Sequence, residues 1–181
     1  VSTGILEVGD LMIQMGSTLY FIGIADHLVH DSRIWSGGFL IPNTNSVQGG
    51  TNAAGTLTRW YRDNLFFDAL ELEKAGGPDA YETMMKGLED IPVGSDGLIT
   101  LPYIAGERTP INDPKAKGMI FGLSMQHTRA HIYHSALESI GYSIANHLAI
   151  FRENGAAPKR IFAARRYEKS DLDADNCGYY G

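Results

Sequence analysis

A short turn with two hydroxyl side chains is the first candidate for chemistry in this sequence. Gly16-Ser17-Thr18 lies between two apolar stretches that are typical of buried strands. A glycine lets the backbone turn sharply and approach a ligand, and free N–H groups beside hydroxyls can hold phosphate oxygens. The same three residues are also typical of a plain hairpin turn, and spacing alone favours that interpretation.

A second candidate is the glycine-rich segment that precedes an apolar helical pattern. We expect Gly49-Gly50 to open this helix, with Thr51 or Asn52 as its N-cap. Small residues at a helix start permit close approach, and the N-terminal amides favour anions. Gly55 is therefore a candidate ligand-binding position, although tight packing of a helix on a sheet explains the same pattern.

Arg59 follows on the same predicted helix and has two interpretations. Its guanidinium suits phosphate oxygens geometrically. Asp63 stands four residues further on, at the spacing of an ion pair within a helix. Arg59 is thus either a ligand for an anion or one partner of a surface ion pair.

A charged loop forms the third candidate. Gly106 to Lys117 is polar and holds two prolines, and Glu107 and Arg108 stand side by side near its start. Neighbouring opposite charges between glycine and proline favour a rigid loop that presents a fixed charge pair.

Three histidines have spacings that can place them on one helix face. His127, His131 and His134 stand four and three residues apart, as metal ligands can. No carboxylate or cysteine completes a ligand set nearby in the sequence. Hydrogen-bonded structural histidines are the better interpretation, and we predict no metal site.

The elements that must position these residues alternate between strands and helices. Two strands are predicted within 10–25, short strands and loops within 31–48, and further strands at 98–103, 119–123 and 159–164. The predicted helices begin at 51, 79 and 128, and the last and longest runs to about Glu153, where Gly155 and Pro158 stop it. This alternation predicts an α/β fold.

The bulk composition excludes several classes of function. A formal net charge of −6 over 181 residues argues against nucleic acid, which needs a basic surface. The longest apolar stretch, Leu19–Ala25, is far shorter than a membrane span. The single cysteine, Cys177, allows no intrachain disulfide and fits a cytoplasmic protein. Val1–Leu6 reads as the continuation of a longer chain.

Two longer motifs resemble the C-terminal signature of the FGGY family of carbohydrate kinases. They are Ala105-Gly106-Glu107-Arg108-Thr109-Pro110, and Gly118-x-Ile120-x-Gly122-Leu123 followed by His131-Ile132-x-x-Ser135-Ala136-Leu137-Glu138. The resemblance covers nearly all of residues 4–163. It implies an actin-like, ribonuclease-H-like ATPase domain, with a mixed sheet and flanking helices, at 1–164. We expect residues 165–181 to be a divergent, loosely ordered tail.

The resemblance also implies roles for the candidate residues. The turn Gly16, Ser17 and Thr18 would bind the β- and γ-phosphates of ATP, although Ser17 and Thr18 are transposed relative to the family's usual order. Gly55 would lie near the nucleotide, with Arg59 within reach. Glu107 and Arg108 would organise the cleft between two domains. ATP and Mg²⁺ are the implied cofactors.

Part of the family's machinery has no counterpart in this sequence. The aspartate that acts as general base, and most sugar contacts, belong to an N-terminal domain that would precede Val1. Asp10 and Asp26 stand on the wrong side of the turn to replace that aspartate. We therefore expect the chain to be inactive alone and to need the N-terminal domain as its partner. The sugar would be a ketopentose such as xylulose, and a homodimer is an open alternative.

Two further expectations concern the end of the chain and the function as a whole. After Ala163 the family usually has a glycine-rich loop that holds adenine, whereas Ala164–Ser170 lacks glycine and would obstruct the base unless Tyr167 stacks on it. The alternative function is a non-catalytic actin-like module that binds a partner protein.

Overall fold

The computed structural model describes residues 4–165, in which the chain forms seven strands and four helices. The strands are β1 (Asp10–Met15), β2 (Leu19–Ala25), β3 (Trp35–Gly38), β4 (Asn45–Thr51), β5 (Ile99–Leu101), β6 (Met119–Phe121) and β7 (Arg160–Arg165). The helices are α1 (Gly55–Leu65), α2 (Phe67–Lys74), α3 (Ala80–Met85) and α4 (Arg129–Glu153), with a single 3₁₀ turn at Ser95–Gly97.

A five-stranded mixed sheet forms the centre, in the order β3-β4-β2-β1-β7. The neighbouring pairs are antiparallel, except that β7 runs parallel to β1. Alternation along β1 and β2 gives the sheet two apolar faces. One face packs against α4 through Leu11, Phe21 and Phe151, and the other forms a smaller cluster around Met12 and Ile24.

A second core joins the helices to the first half of α4. It contains residues of α1, α3 and α4, among them Leu57, Tyr61, Met84, Tyr133 and Ala136. The separate β5–β6 hairpin packs on the same helix. Helix α4 therefore spans both cores and connects the central sheet to the helical layer.

Most predicted elements are confirmed, and the exceptions concern the segment around α1. Gly49 and Gly50 do not open a helix, because both lie in β4. Helix α1 begins at Gly55, four residues after the end of β4 at Thr51, and no side chain caps it. The prediction of Thr51 or Asn52 as N-cap was therefore wrong. Glycines in a strand mark close approach of neighbouring groups as well as turns.

Other details also departed from the predicted pattern. Helix α2 was not predicted, since its short, charged sequence lacks a clear apolar stripe. Trp60, an apolar residue of α1, is 41% exposed. Within 4–165, no helix combines the length and apolarity needed to cross a bilayer. The predicted tail, including Tyr167, lies outside the described residues apart from the backbone of Arg165.

Candidate functional site

The Gly16–Thr18 turn and the start of α1 form one structural unit. The amides of Ala54 and Thr56 donate to the Ser17 carbonyl at 3.1 and 3.0 Å, and the Gly55 amide donates to the Gly16 carbonyl at 3.0 Å. Two segments singled out separately in the sequence are thus brought together. The carbonyls of the turn satisfy helix amides that would otherwise be available to an anion.

Gly55 is required at this junction by close packing. A Cβ atom at this position would lie 2.7 Å from the Gly16 carbonyl oxygen and 3.4 Å from the Ser17 Cα. Real Cβ atoms do not approach backbone oxygens so closely, so any side chain would separate α1 from the turn. The tight-packing interpretation of Gly55 therefore holds in the structure.

The outer side of the turn is open. The Gly16 amide donates to the Thr18 carbonyl at 3.0 Å. Ser17 is exposed and Thr18 is half-buried, and across residues 4–165 their amides and hydroxyls find no hydrogen-bond partner. A ligand with several acceptor oxygens can meet donors of both kinds here.

Gly16 was expected to be glycine because the backbone turns sharply there, but the structure does not require glycine for that reason. Its backbone is not among the residues of positive φ, and a Cβ atom would have only the Thr18 carbonyl oxygen near it, at 3.9 Å. The sharp turn does not require glycine at this position. What glycine leaves is open space on the Cβ side of this position.

Arg59 lies one turn into α1, on the same helix face as Gly55. Because side chains on a helix lean toward its N-terminus, we expect the Arg59 side chain to extend toward the turn. Its alternative partner is engaged elsewhere, because the Asp63 carboxylate binds Arg62 at 2.7 Å. Arg59 itself is exposed and forms no ion pair with any other described residue.

Glu107 lies buried behind the turn, with 2% of its surface exposed. Its Oε1 atom accepts hydrogen bonds from the amides of Arg108 at 2.7 Å and Asn52 at 3.2 Å. Burial raises the pKa of the Glu107 carboxyl, and these hydrogen bonds partly offset that rise. The carboxylate thus anchors the segment that links β4 to α1.

Arg108 points into the protein instead of pairing with Glu107. Its Nη2 atom donates to the Thr51 carbonyl at 3.0 Å and, more weakly, to the Leu19 carbonyl at 3.5 Å. Among the described residues its buried Nε atom has no partner. The predicted role of Glu107 and Arg108 in organising a cleft remains a prediction, and the structure places both behind the turn.

The three histidines hold the 3₁₀ turn against α4. His134 Nδ1 lies 2.7 Å from the Ser95 hydroxyl, which donates to Glu138 at 2.6 Å. His131 caps α4 reciprocally with Thr128. Their contacts are those of structural histidines, and in the described part of the chain no group of three His, Cys, Asp or Glu residues is arranged to hold a metal.

Sequence reasoning missed an ion pair between buried Asp10 and exposed Arg160 at the other end of β1. Asp10 is 2% exposed and accepts hydrogen bonds from Arg160 Nε at 2.7 Å and from the Leu6 and Glu7 amides at 2.9 Å. The Arg160 hydrogen bond lowers the pKa of Asp10 to about 2. Asp26 is exposed and bonds to His27. Neither carboxylate lies at the turn as a proton acceptor.

His147 was also missed, because its position in α4 reads as an ordinary polar helix residue. It is 1% exposed, stacks on the Phe21 ring with centroids 4.1 Å apart, and binds the Ser143 carbonyl through Nδ1 at 2.7 Å. Gly49 accommodates it, since a Cβ there would lie 2.9 Å from its ring. The glycine pair in β4 was the signal that a bulky group approaches the strand.

Comparison with known proteins identifies a family for this arrangement. Residues 13–164 match the FGGY family of carbohydrate kinases, C-terminal domain. A gluconokinase of Bacillus licheniformis is 30% identical over 169 residues, which are 92% of this chain and 33% of that protein. A xylulose kinase of Bacillus subtilis is 25% identical over 173 residues, or 94% and 33%. The chain thus spans about a third of these relatives.

Solved structures agree in fold. The xylulose kinase of Rhodospirillum rubrum superposes with a TM-score of 0.78 and 30% identity, covering 90% of this chain and 31% of that one. The ligand-bound xylulose kinase of Lactobacillus acidophilus gives a TM-score of 0.75 at 24% identity, covering 91% and 32%. The mixed sheet with flanking helices is therefore the actin-like ATPase fold predicted from the sequence.

Proposed function

The chain belongs to the FGGY family of carbohydrate kinases, and we propose that it is the nucleotide-binding half of an ATP-dependent member, a cytoplasmic enzyme. The observation that carries the proposal is the open turn of Gly16–Thr18 fastened to the start of α1. Donors on its outer side have no partner among residues 4–165, and Gly16 leaves space beside them. Free hydrogen-bond donors beside open space are the features that bind a chain of phosphates.

In this proposal the β- and γ-phosphates of ATP accept hydrogen bonds from Ser17 and Thr18. Mg²⁺ would neutralise charge on the transferring phosphate and be held mainly by the phosphates, because the described residues offer no cluster of carboxylates for it. Gly55 would contribute indirectly, by letting the turn pack against the start of α1. Arg59, which we expect to extend toward that turn, would pair with phosphate or cover the nucleotide.

The acceptor and the general base would come from an N-terminal domain. Curated relatives named gluconokinase and xylulose kinase are about three times as long as this chain. We propose a sugar hydroxyl as acceptor, with a ketopentose such as xylulose as the first candidate. Since Asp10 is bound by Arg160 at the far end of β1, no carboxylate of β1 is placed to activate that hydroxyl.

Coupled measurement of ADP release tests this proposal. The chain with Mg·ATP and D-xylulose should release no more ADP than the chain with Mg·ATP alone. A polypeptide that also carries the preceding domain should phosphorylate xylulose faster than gluconate. Sugar-dependent ADP release by the chain alone would contradict the proposal that the general base and the sugar contacts belong to the N-terminal domain. Faster phosphorylation of gluconate than of xylulose would make gluconate the acceptor.

One observation favours the alternative of a module that binds a partner protein. An apolar cavity of about 380 Å³ lies between α1 and the β5–β6 hairpin, lined in part by Leu57, Trp60 and Met119. Phe121 nearby is 62% exposed. Under this alternative the chain would bind a protein through that face and would not bind Mg·ATP, so nucleotide titration separates the two functions.

A further inference from the structure

We infer that Arg108 is a positioning residue that holds the Gly16–Thr18 turn in the shape needed to receive the phosphates of ATP. This inference rests on the proposed function. Arg108 would act through the backbone on either side of the turn and would not touch the nucleotide.

The two carbonyls that Arg108 binds lie where the chain enters the site. Leu19 directly follows Thr18, and its carbonyl is 3.5 Å from Arg108 Nη2. Thr51, whose carbonyl is 3.0 Å away, is the register partner of Leu19 in the β2–β4 pair. One guanidinium nitrogen therefore joins two strands at the point where β2 leaves the turn and β4 continues toward α1.

The neighbouring strand makes room for this contact. A Cβ atom at Gly50 would lie 3.0 Å from Arg108 Nη2 and 2.6 Å from the Leu19 carbonyl oxygen. Any larger residue in that place would therefore displace the guanidinium. The path of the arginine therefore explains the glycine in the strand.

The backbone at Arg108 is anchored independently of its side chain. The Thr109 amide donates to the Gly50 carbonyl at 3.1 Å, and the Gly50 amide donates to the Thr109 hydroxyl at 3.3 Å. Glu107 meanwhile accepts from the Arg108 amide. Because these contacts fix where the side chain starts, the planar guanidinium holds the two carbonyls at a set separation.

The turn is attached to the start of α1 as well as to the sheet. Ser17 accepts hydrogen bonds from Ala54 and Thr56, three and five residues beyond Thr51. Arg108 thus fixes both the strand that leaves the turn and the segment on which the turn rests. Without it, the turn keeps its contacts with α1 but loses its alignment with the sheet.

The test compares two arginines in the 181-residue chain by calorimetric titration with Mg·ATP. Arg108→Gln should weaken ATP binding about tenfold, since small misplacements of positioning groups have effects of at least that size. Arg160→Gln is the control, because it removes the partner of buried Asp10 at the other end of β1. It should lower Tm and leave ATP affinity unchanged, as a purely structural loss would.

Amide hydrogen exchange supplies a second readout. Exchange at the Gly16 amide, which donates to the Thr18 carbonyl inside the turn, should accelerate in Arg108→Gln and not in Arg160→Gln. Should Arg108→Gln fail to fold, Arg108→Lys carries the same comparison. Its loss should be smaller, because the ammonium keeps a charged donor near the two carbonyls, but not absent, because it lacks the planar geometry. Equal ATP affinity in the wild type and the Arg108 variant would overturn this inference alone. A wild-type chain that does not bind Mg·ATP would overturn the proposed function as well.

Discussion

At the scale of single residues, two glycines near the turn have opposite physical roles. Gly55 is glycine because the Gly16 carbonyl oxygen leaves no room for a Cβ atom, whereas Gly16 is glycine although a Cβ would fit. The first glycine serves the fold. The second has no structural reason within the described residues, so its function is expected to be binding.

Gly16→Ala tests that assignment. The variant should fold with a nearly unchanged Tm, because the added methyl group has only the Thr18 oxygen near it, at 3.9 Å. It should weaken Mg·ATP binding at least about tenfold, since the methyl group occupies the space beside the phosphate donors. Gly37→Ala is the matched control, with no atom within 4 Å of its Cβ and no contact with the turn. Equal ATP affinity in both variants would remove Gly16 from the site.

His147 gives the protein a defined dependence of stability on pH. Burial lowers the pKa of His147, and the nearby positive charge of Arg108 acts in the same direction. The folded protein therefore holds this imidazole neutral, whereas the unfolded chain binds a proton below its ordinary pKa of about 6.5. The free energy of unfolding should accordingly fall as pH decreases below about 6.5.

The measurement is urea unfolding from pH 5 to pH 8 for the wild type and His147→Asn. The difference in unfolding free energy between them should shrink toward low pH, because only the wild type loses the contribution of a neutral buried imidazole. Glu107, whose raised pKa acts in the opposite direction, is present in both proteins and cancels in the difference. A pH-independent difference would show that His147 does not titrate on unfolding.

At the scale of elements, the site is a junction between a hairpin turn and a helix that has no side-chain cap. Helix α1 begins at Gly55, and the carbonyls of Gly16 and Ser17 take the place of a capping residue. Such a helix start depends on a segment far away in the sequence. The turn and the helix therefore stabilise each other.

Gly55→Ala should break this junction. The new Cβ atom would need to lie 2.7 Å from a backbone oxygen, so we expect a loss of about 1–3 kcal/mol in unfolding free energy. Gly141→Ala in α4 is the control, since Gly141 is exposed with no atom within 4 Å of its Cβ. It should stabilise the protein by up to about 1 kcal/mol. Thermal unfolding of both variants checks the pair, and equal effects would show that the junction is not tightly packed.

The region around this junction also shows where local sequence patterns fail to predict the structure. Local signals were sufficient for β1, β2 and α4, where apolar periodicity, Thr128 at the helix start and Gly155 at its end agree with the structure. They failed at Gly49 and Gly50, because the groups that these glycines accommodate come from residues 147 and 108. The ion pair of buried Asp10 and exposed Arg160 was missed for a related reason, since its partners are 150 residues apart.

At the scale of the whole molecule, residues 13–164 match the C-terminal domain of FGGY kinases, and the chain spans about a third of its relatives. The turn follows β1 and leads into β2 of the central sheet. In the account proposed for this chain, residues 4–165 bind ATP and orient its phosphates. Phosphoryl transfer would also require the N-terminal domain, which would bind the sugar and supply the general base.

Calorimetric titration of the 181-residue chain with Mg·ATP, in parallel with a Ser17→Ala/Thr18→Ala variant and a Thr83→Ala control on α3, tests this account most directly. Thr83 is a hydroxyl residue whose side chain bonds only within its own helix turn. We predict saturable binding of one ATP by the wild type and by Thr83→Ala, and binding at least about tenfold weaker in the double variant. Absence of binding by the wild type, or equal affinity in all three proteins, would contradict the assignment of Gly16–Thr18 as the phosphate-binding turn.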